Sequence, residues 1–217
     1  MNSPHRVIAI DGPAASGKSS VARDLARRLG FAYVNSGAMY RTATWYALEH
    51  HVDLKNTTAV TDLIESAPIA CDLVENQSRL TIAGIDPTNF LRDDRVNDGV
   101  SLVSSVPRVR QILVKMMHDC ATKRDVVMEG RDIGSVVFPD TPYKFYIDAS
   151  PEIRLQRRLA QGQRDQIAAR DRADSSRRAS PLIIAEDAHV IDSSHLTIDG
   201  VVGEIIGQLK RKGMKIN

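Results

Sequence analysis

The chain has 217 residues, 42% hydrophobic and 26% charged, with 29 Lys+Arg against 27 Asp+Glu and a formal net charge of +2. That length supports one compact α/β domain with a real core and a small insertion, and the even charge balance gives no case for nucleic acid or an anionic membrane as partner. With no leader-like segment, no run of about 18 apolar residues, and two cysteines (Cys71 and Cys120) too few and too far apart in sequence for a zinc site or disulfide framework, the expectation is a cytoplasmic monomer with two small core thiols.

In chain order, Val7–Asp11 reads as a buried strand, and Lys18–Leu29 as a helix with Val21, Leu25 and Leu29 on one face and Gly30 as its stop. Phe31–Val34 reads as a second strand and Ala38–His50 as a second helix. Between about 52 and 92 the rhythm changes. Thr61–Ser66 reads as a short helix, Ile69–Val74 and Leu80–Ile82 as strands around Glu75-Asn76-Gln77, and Gly84-Ile85-Asp86-Pro87 as a further turn. This is a small β-rich insertion. Helices follow at Asp94–Ser104 and Pro107–Ala121, the second with Val109, Ile112, Leu113 and Met116 as its apolar stripe. Asp125–Met128 and Tyr143–Ile147 are central-strand candidates. Pro151–Ala160 is a helix capped by Ser150, His189–Ile191 a last strand and Thr197–Lys212 a last helix. Strands alternating with helices predict a parallel central sheet flanked by helices, a three-layer α/β fold.

Gly12-Pro13-Ala14-Ala15-Ser16-Gly17-Lys18-Ser19 is a full G-x-x-x-x-G-K-[ST] pattern in the strand–loop–helix setting that gives it meaning. Glycines allow the backbone to curl its N–H groups toward an anion, and the N-terminus of the next helix adds partial positive charge. Lys18 is placed to reach terminal phosphates, Ser19 to ligate Mg²⁺, and Ser20 to extend the nest. The pattern points to a nucleoside triphosphate, the bland alternative being a glycine turn before an ordinary helix. A second signal lies in 154–178, which carries eight arginines, three acidic residues and no lysine. Arginine without lysine suits bidentate binding of phosphate or carboxylate, and Gly162 with its polar neighbours suggests a lid over about 155–180. Simple pairing of these arginines with Asp165, Asp171 and Asp174 is the alternative. Trp45, His50, His51, His118 and His189 read as packing or surface residues.

Four segments then carry a family resemblance: Ser36-Gly37-Ala38-Met39-Tyr40-Arg41, Ser104-Ser105-Val106-Pro107-Arg108-Val109-Arg110, Glu129-Gly130-Arg131-Asp132-Ile133-Gly134-Ser135-Val136-Val137-Phe138-Pro139, and Arg170-Asp171 with Asp174, Arg177 and Ser180-Pro181-Leu182. Together they resemble the bacterial cytidylate kinases, members of the P-loop nucleoside monophosphate kinases, over almost the whole chain. The resemblance implies MgATP-dependent phosphorylation of CMP and dCMP. It makes 1–51 and 93–217 the kinase core and 52–92 an enlarged monophosphate-binding insertion. It assigns the cytosine base to Ser101, Arg110 and Asp132, the monophosphate to Ser36, Arg41, Arg131 and Arg177, and the ribose to Arg170 and Asp174. Arg131, Arg157 and Arg170, with Lys18, would stabilise the transferred group. Arg41 as an exposed helix residue and Ser36 as a helix N-cap remain open alternatives. Asn35 stands where the family often has aspartate, and 173–176 is less charged than in some relatives. Rival readings are a kinase for UMP, AMP or a non-nucleotide metabolite, and a nucleotide-dependent switch. A guanine-reading N-K-x-D-like motif is missing, which weighs against the switch.

Overall fold

A computed structural model describes residues 5–160, 171, 172, 174, 176 and 182–216. Seven strands form one sheet: β1 (Val7–Asp11), β2 (Ala32–Asn35), β3 (Ile69–Val74), β4 (Gln77–Ile82), β5 (Val126–Gly130), β6 (Tyr143–Asp148) and β7 (His189–Asp192). Their order is β3-β4-β2-β5-β1-β6-β7, every pairing parallel except β3 with β4. Around them lie α1 (Lys18–Leu29), α2 (Ser36–Glu49), α3 (Thr57–Ser66), α4 (Asp94–Ser104), α5 (Pro107–Lys123), α6 (Pro151–Ala160) and α7 (Ile198–Arg211), so the α/β layering expected from the sequence is present.

All five residues of β1 and of β5 are buried, because each strand has a neighbour on both edges and helices on both faces. Alternation along the strand sorts them. Val7, Ala9, Val126 and Met128 join the core built on α2 through α5, while Ile8, Ile10 and Val127 join the one built on α1 and α7. A continuous apolar run is therefore what a central parallel strand requires. The C-terminal ends of β1 and β5 lie side by side, with Asp11 opposite Gly130, and this is the edge of an open α/β sheet where ligands bind.

Several elements depart from their sequence-predicted limits. Helix α3 begins at Thr57 rather than Thr61 because the Asn56 side chain caps it, accepting from the Ala59 N–H at 3.1 Å. Strand β4 begins at Gln77 rather than Leu80. Glu75 and Asn76 both take positive φ (48° and 61°), making a two-residue hairpin turn that pairs Val74 with Gln77. The β3–β4 hairpin continues the central sheet, though it meets β2 at one register pair, Tyr33 with Gln77. A π-helical turn at Ile133–Val137 had no sequence signal. Asn35 rather than Ser36 caps α2, accepting from the Ala38 N–H at 3.0 Å.

The two cysteines are core residues as expected. Their separation along the chain misleads, however. Cys71 on β3 and Cys120 on α5 are both buried, with Sγ atoms 3.3 Å apart and no disulfide between them. A 49-residue interval measures contour length, and the packing of α5 against β3 brings the two sulfurs together.

Candidate active site

The loop between β1 and α1 starts where the backbone has no room for a side chain. A Cβ on Gly12 would sit 2.1 Å from the Ile147 carbonyl oxygen, and its φ of +154° is open to glycine. Gly17, at φ +89°, turns the chain into α1 as its N-cap. The Ser16 hydroxyl is buried in this loop with no hydrogen-bond partner among the described residues. Buried hydroxyls are almost always paired, so an unpaired one inside an amide-lined loop fits a site completed by an anion. Lys18 is buried and its Nζ donates to the Pro13 carbonyl at 2.8 Å, folded back over the loop. Asp171 accepts from the Ala14 N–H at 3.2 Å and pairs with Arg154.

Directly beside the loop, the end of β5 supplies a residue the sequence reading did not single out. Glu129 is 3% exposed, and its Oε1 accepts from Ser19 Oγ at 2.8 Å and from the Tyr33 hydroxyl at 3.3 Å. Its signal in the sequence is an apolar strand, Val126-Val127-Met128, that ends in a carboxylate. Ser19 and Glu129 together offer the hard oxygen ligands that suit Mg²⁺, which keeps several waters and takes only one or two protein groups. The Ser36 hydroxyl donates to the Glu129 carbonyl at 2.8 Å, fixing the start of α2 against the same strand end.

Arg131 follows at once. Its Nη1 donates to the Gly12 carbonyl at 3.0 Å and its Nε to Asp174 at 2.7 Å. Burial opposes its charge, but the carboxylates of Asp174, Glu129 and Asp171 outweigh that cost and raise its pKa. Arg110 from α5 donates to Asp132 and, at 3.2 Å, to the Ser104 carbonyl, while its guanidinium stacks 5.3 Å above the Tyr40 ring. Both partners of the Arg110–Asp132 pair are almost wholly buried.

One cleft is lined by many of these groups, among them Lys18, Ser19, Ser36, Arg41, Ser101, Arg131, Asp132 and Asp174. Of the expected residues, Ala14, Ala15, Lys18 and Ser19 of the loop and Ser36, Arg41, Ser101, Arg131, Asp132 and Asp174 of the acceptor set face one space, whereas Arg110 is not part of its lining and meets it through its pair with Asp132. Arg41 lines that cleft and reaches toward Asn97 Oδ1 at 3.4 Å, so it is not a solvent-facing helix residue. Arg157 does not line the cleft. It braces the phosphate loop from behind, donating to the Ser16 carbonyl at 3.2 Å and the Ser193 carbonyl at 2.7 Å, while its neighbour Arg158 reaches the cleft. Arg170 and Arg177 lie outside the described residues, as does most of 155–180.

Asp11 ties the two halves of the site together. Its carboxylate, 5% exposed, accepts the N–H groups of Ile133 at 2.8 Å and Gly134 at 2.7 Å, clasping the turn after Asp132 to the strand that launches the phosphate loop. Burial pushes its pKa up to about 7, against the two amide bonds that hold it down. A carboxyl raised in the folded state contributes stability that is full below its unfolded pKa and lost as pH rises through about 7. Asp11→Asn, which cannot titrate, is expected to remove that dependence. Denaturant unfolding of both proteins at pH 5 to 8 checks this: the stability advantage of the parent should shrink toward pH 8, and a constant difference would contradict it.

Residues 8–211 match the family model described as "Cytidylate kinase". A cytidylate kinase of Streptococcus suis (strain 05ZYH33) is 41% identical over 207 residues, covering 90% of this chain and 92% of its own. A cytidylate kinase of Rhodococcus opacus (strain B4) is 42% identical over 218 residues, covering 95% of each. Among solved structures, a gluconokinase from Sinorhizobium meliloti 1021 is similar at a TM-score of 0.50 and 12% identity over 98% of this chain and 95% of that one, a likeness of fold.

Proposed function

Since the chain belongs to the cytidylate kinase family and is a phosphotransferase, we propose that it moves the γ-phosphoryl group of ATP onto CMP or dCMP within the single cleft described above. The observation that carries this reading is the continuity of that cleft from Lys18 and Ser19 to Ser101 and Asp132. Donor and acceptor need to meet in one water-poor space for direct in-line transfer, in which a phosphate oxygen of the acceptor attacks phosphorus and no covalent enzyme intermediate forms.

The residues divide the work along that space. The loop Gly12, Pro13, Ala14, Ala15, Ser16, Gly17, Lys18, Ser19 and Ser20 cradles the donor's phosphates. Lys18 exchanges its bond to the Pro13 carbonyl for the β/γ oxygens, and the triphosphate displaces Asp171 from the Ala14 amide. Ser19 and Glu129 would hold Mg²⁺, which would supply positive charge to the donor's phosphate oxygens. Ser36, Arg41, Arg131 and Arg177 hold the acceptor phosphate; Arg170 and Asp174 hold the ribose. Arg131 stabilises charge on the moving group, with Arg170 in support, while Arg157 holds the phosphate loop through the Ser16 carbonyl.

Base selection rests on the buried Arg110–Asp132 pair together with Ser101. Cytosine offers an amine that Asp132 accepts and N3 and O2 acceptors that face Arg110. Uracil reverses two of those contacts, so a carboxylate meets a carbonyl and a guanidinium meets an N–H, and buried mismatches of that kind discriminate strongly. The enzyme acts on free nucleotides as a cytoplasmic monomer, without nucleic acid or membrane. No described helix is long and apolar enough to cross a membrane. A coupled ADP-release assay with MgATP and CMP, dCMP, UMP, AMP or GMP tests the whole reading. Turnover concentrated in the two cytidine nucleotides is expected; equal turnover with UMP would overturn the base assignment.

A further inference from the structure

We propose that Cys71 and Cys120 form a thiol-oxidation site, in which a peroxide converts the pair to an intramolecular disulfide that staples the β3–β4 hairpin to α5. The geometry is specific. Cys71 is at the centre of β3, opposite Leu80 of β4, and Cys120 is in the last turn of α5. Their sulfurs stand 3.3 Å apart with one thiol hydrogen-bonded to the other. Closing to a bond of about 2.05 Å needs side-chain rotation over little more than 1 Å.

Access comes from an open cleft of about 290 Å³ whose walls include both cysteines, together with Met116, Lys115, Asp119 and Lys123. It lies on the outer side of β3 and α5, and its lining shares no residue with the active-site cleft. A small oxidant therefore reaches the pair through this cleft although the two residues are only 8% and 1% exposed. The neighbouring Cys71 thiol, with help from the Lys123 charge, holds the Cys120 thiol below its ordinary pKa against the effect of burial, while Cys71 is raised. This makes Cys120 the nucleophile.

The chemistry balances. The Cys120 thiolate attacks one peroxide oxygen, the O–O bond breaks, and the departing hydroxide takes a proton to leave as water. The Cys71 sulfur then attacks the sulfenic acid, giving up its proton as the S–O bond breaks and a second water leaves. Two thiols and one hydrogen peroxide give one disulfide and two waters. A thiol reductant reverses the step.

The hairpin meets the central sheet at one register pair, so its position depends on side-chain packing against α2 and α5. A covalent link there closes an interval of 49 residues and restrains the unfolded chain.

The test uses the full-length enzyme as purified under reducing conditions. After treatment with stoichiometric hydrogen peroxide and quenching with N-ethylmaleimide, non-reducing tryptic digestion should yield peptide 56–79 linked to peptide 116–123, with both titratable thiols lost and both restored by dithiothreitol. The oxidised protein should melt roughly 5–10 °C higher and exchange hairpin amides more slowly. Two thiols still titratable after treatment, or loss of thiol into sulfonic acid or intermolecular dimers, would overturn the site. A linked peptide without a rise in melting temperature would overturn the staple. Cys71→Ser, which keeps the volume, should leave Cys120 reducible as a single sulfenic acid and abolish the thermal shift.

Discussion

Asp132→Asn is expected to collapse the preference for CMP over UMP and to destabilise the protein at the same time, and the two effects have separate causes. Asparagine keeps the shape but can turn either its oxygen or its amide nitrogen toward the base, so amine and carbonyl are no longer told apart. A lost hydrogen bond to a charged group is worth about 1.5–3 kcal/mol, which predicts a fall of roughly 10- to 100-fold in kcat/KM for CMP with little change for UMP. The stability cost arises from Arg110. It is 5% exposed, with Asp132 as its charged partner, and a buried charge stripped of its counter-ion costs about 3–5 kcal/mol. The remaining contacts of Arg110, to the Ser104 carbonyl and the Tyr40 face, soften that loss without cancelling it. Steady-state kinetics with both acceptors, beside denaturant unfolding with CMP absent, separates the two. An unchanged CMP-to-UMP ratio in a destabilised protein would make the pair a structural ion pair and remove it from base reading.

What could be read in the sequence follows the range of the interactions that decide each feature. The phosphate loop was legible because its geometry is local: a buried strand, two glycines at positive φ and a helix start, all within Val7 to Ser20. Helices α1 and α4 were legible to the residue, α1 because Gly30 ends it in a left-handed conformation. The start of α3 was not, since it depends on one asparagine side chain reaching three residues on. The π turn at Ile133–Val137 is harder still. Its first two amides are held by Asp11, more than 120 residues earlier, so nothing near Ile133 encodes it.

The site divides in the same way. The base-reading assignment could come only from the family resemblance, because Ser101, Arg110 and Asp132 come from α4, α5 and the segment after β5. No spacing rule joins them. Glu129 was passed over although it ends an apolar strand, since only the parallel pairing of β1 with β5 brings that end beside Ser19. Arg157 shows the converse limit. Composition placed it among arginines aimed at phosphate, whereas helical phase turns it toward the Ser16 and Ser193 carbonyls and gives the cleft to Arg158.

Arg131→Lys should cost more in kcat than any substitution that merely weakens acceptor binding, although it keeps the charge. The guanidinium spans two fixed points, the Gly12 carbonyl of the phosphate loop and the Asp174 carboxylate of the acceptor side, from Nη1 and Nε respectively. Lysine carries one ammonium on a flexible stem and can satisfy one of these at a time. If it stays with Asp174, the loop loses its brace; if it turns to Gly12, the ion pair with Asp174 is lost. Either way the positive charge is no longer held where charge develops during transfer. Removing one pre-positioned donor of that kind costs about 10²–10³ in kcat. The expected pattern is therefore a kcat reduced by that factor with KM for ATP changed only a few-fold, measured at saturating CMP. Arg131→Ala should fall no more than about tenfold further if the fork carries most of the effect, because a misplaced charge contributes little to a transition state it does not face. A lysine variant with near-normal kcat would show that charge alone suffices and would remove the two-point brace from the mechanism.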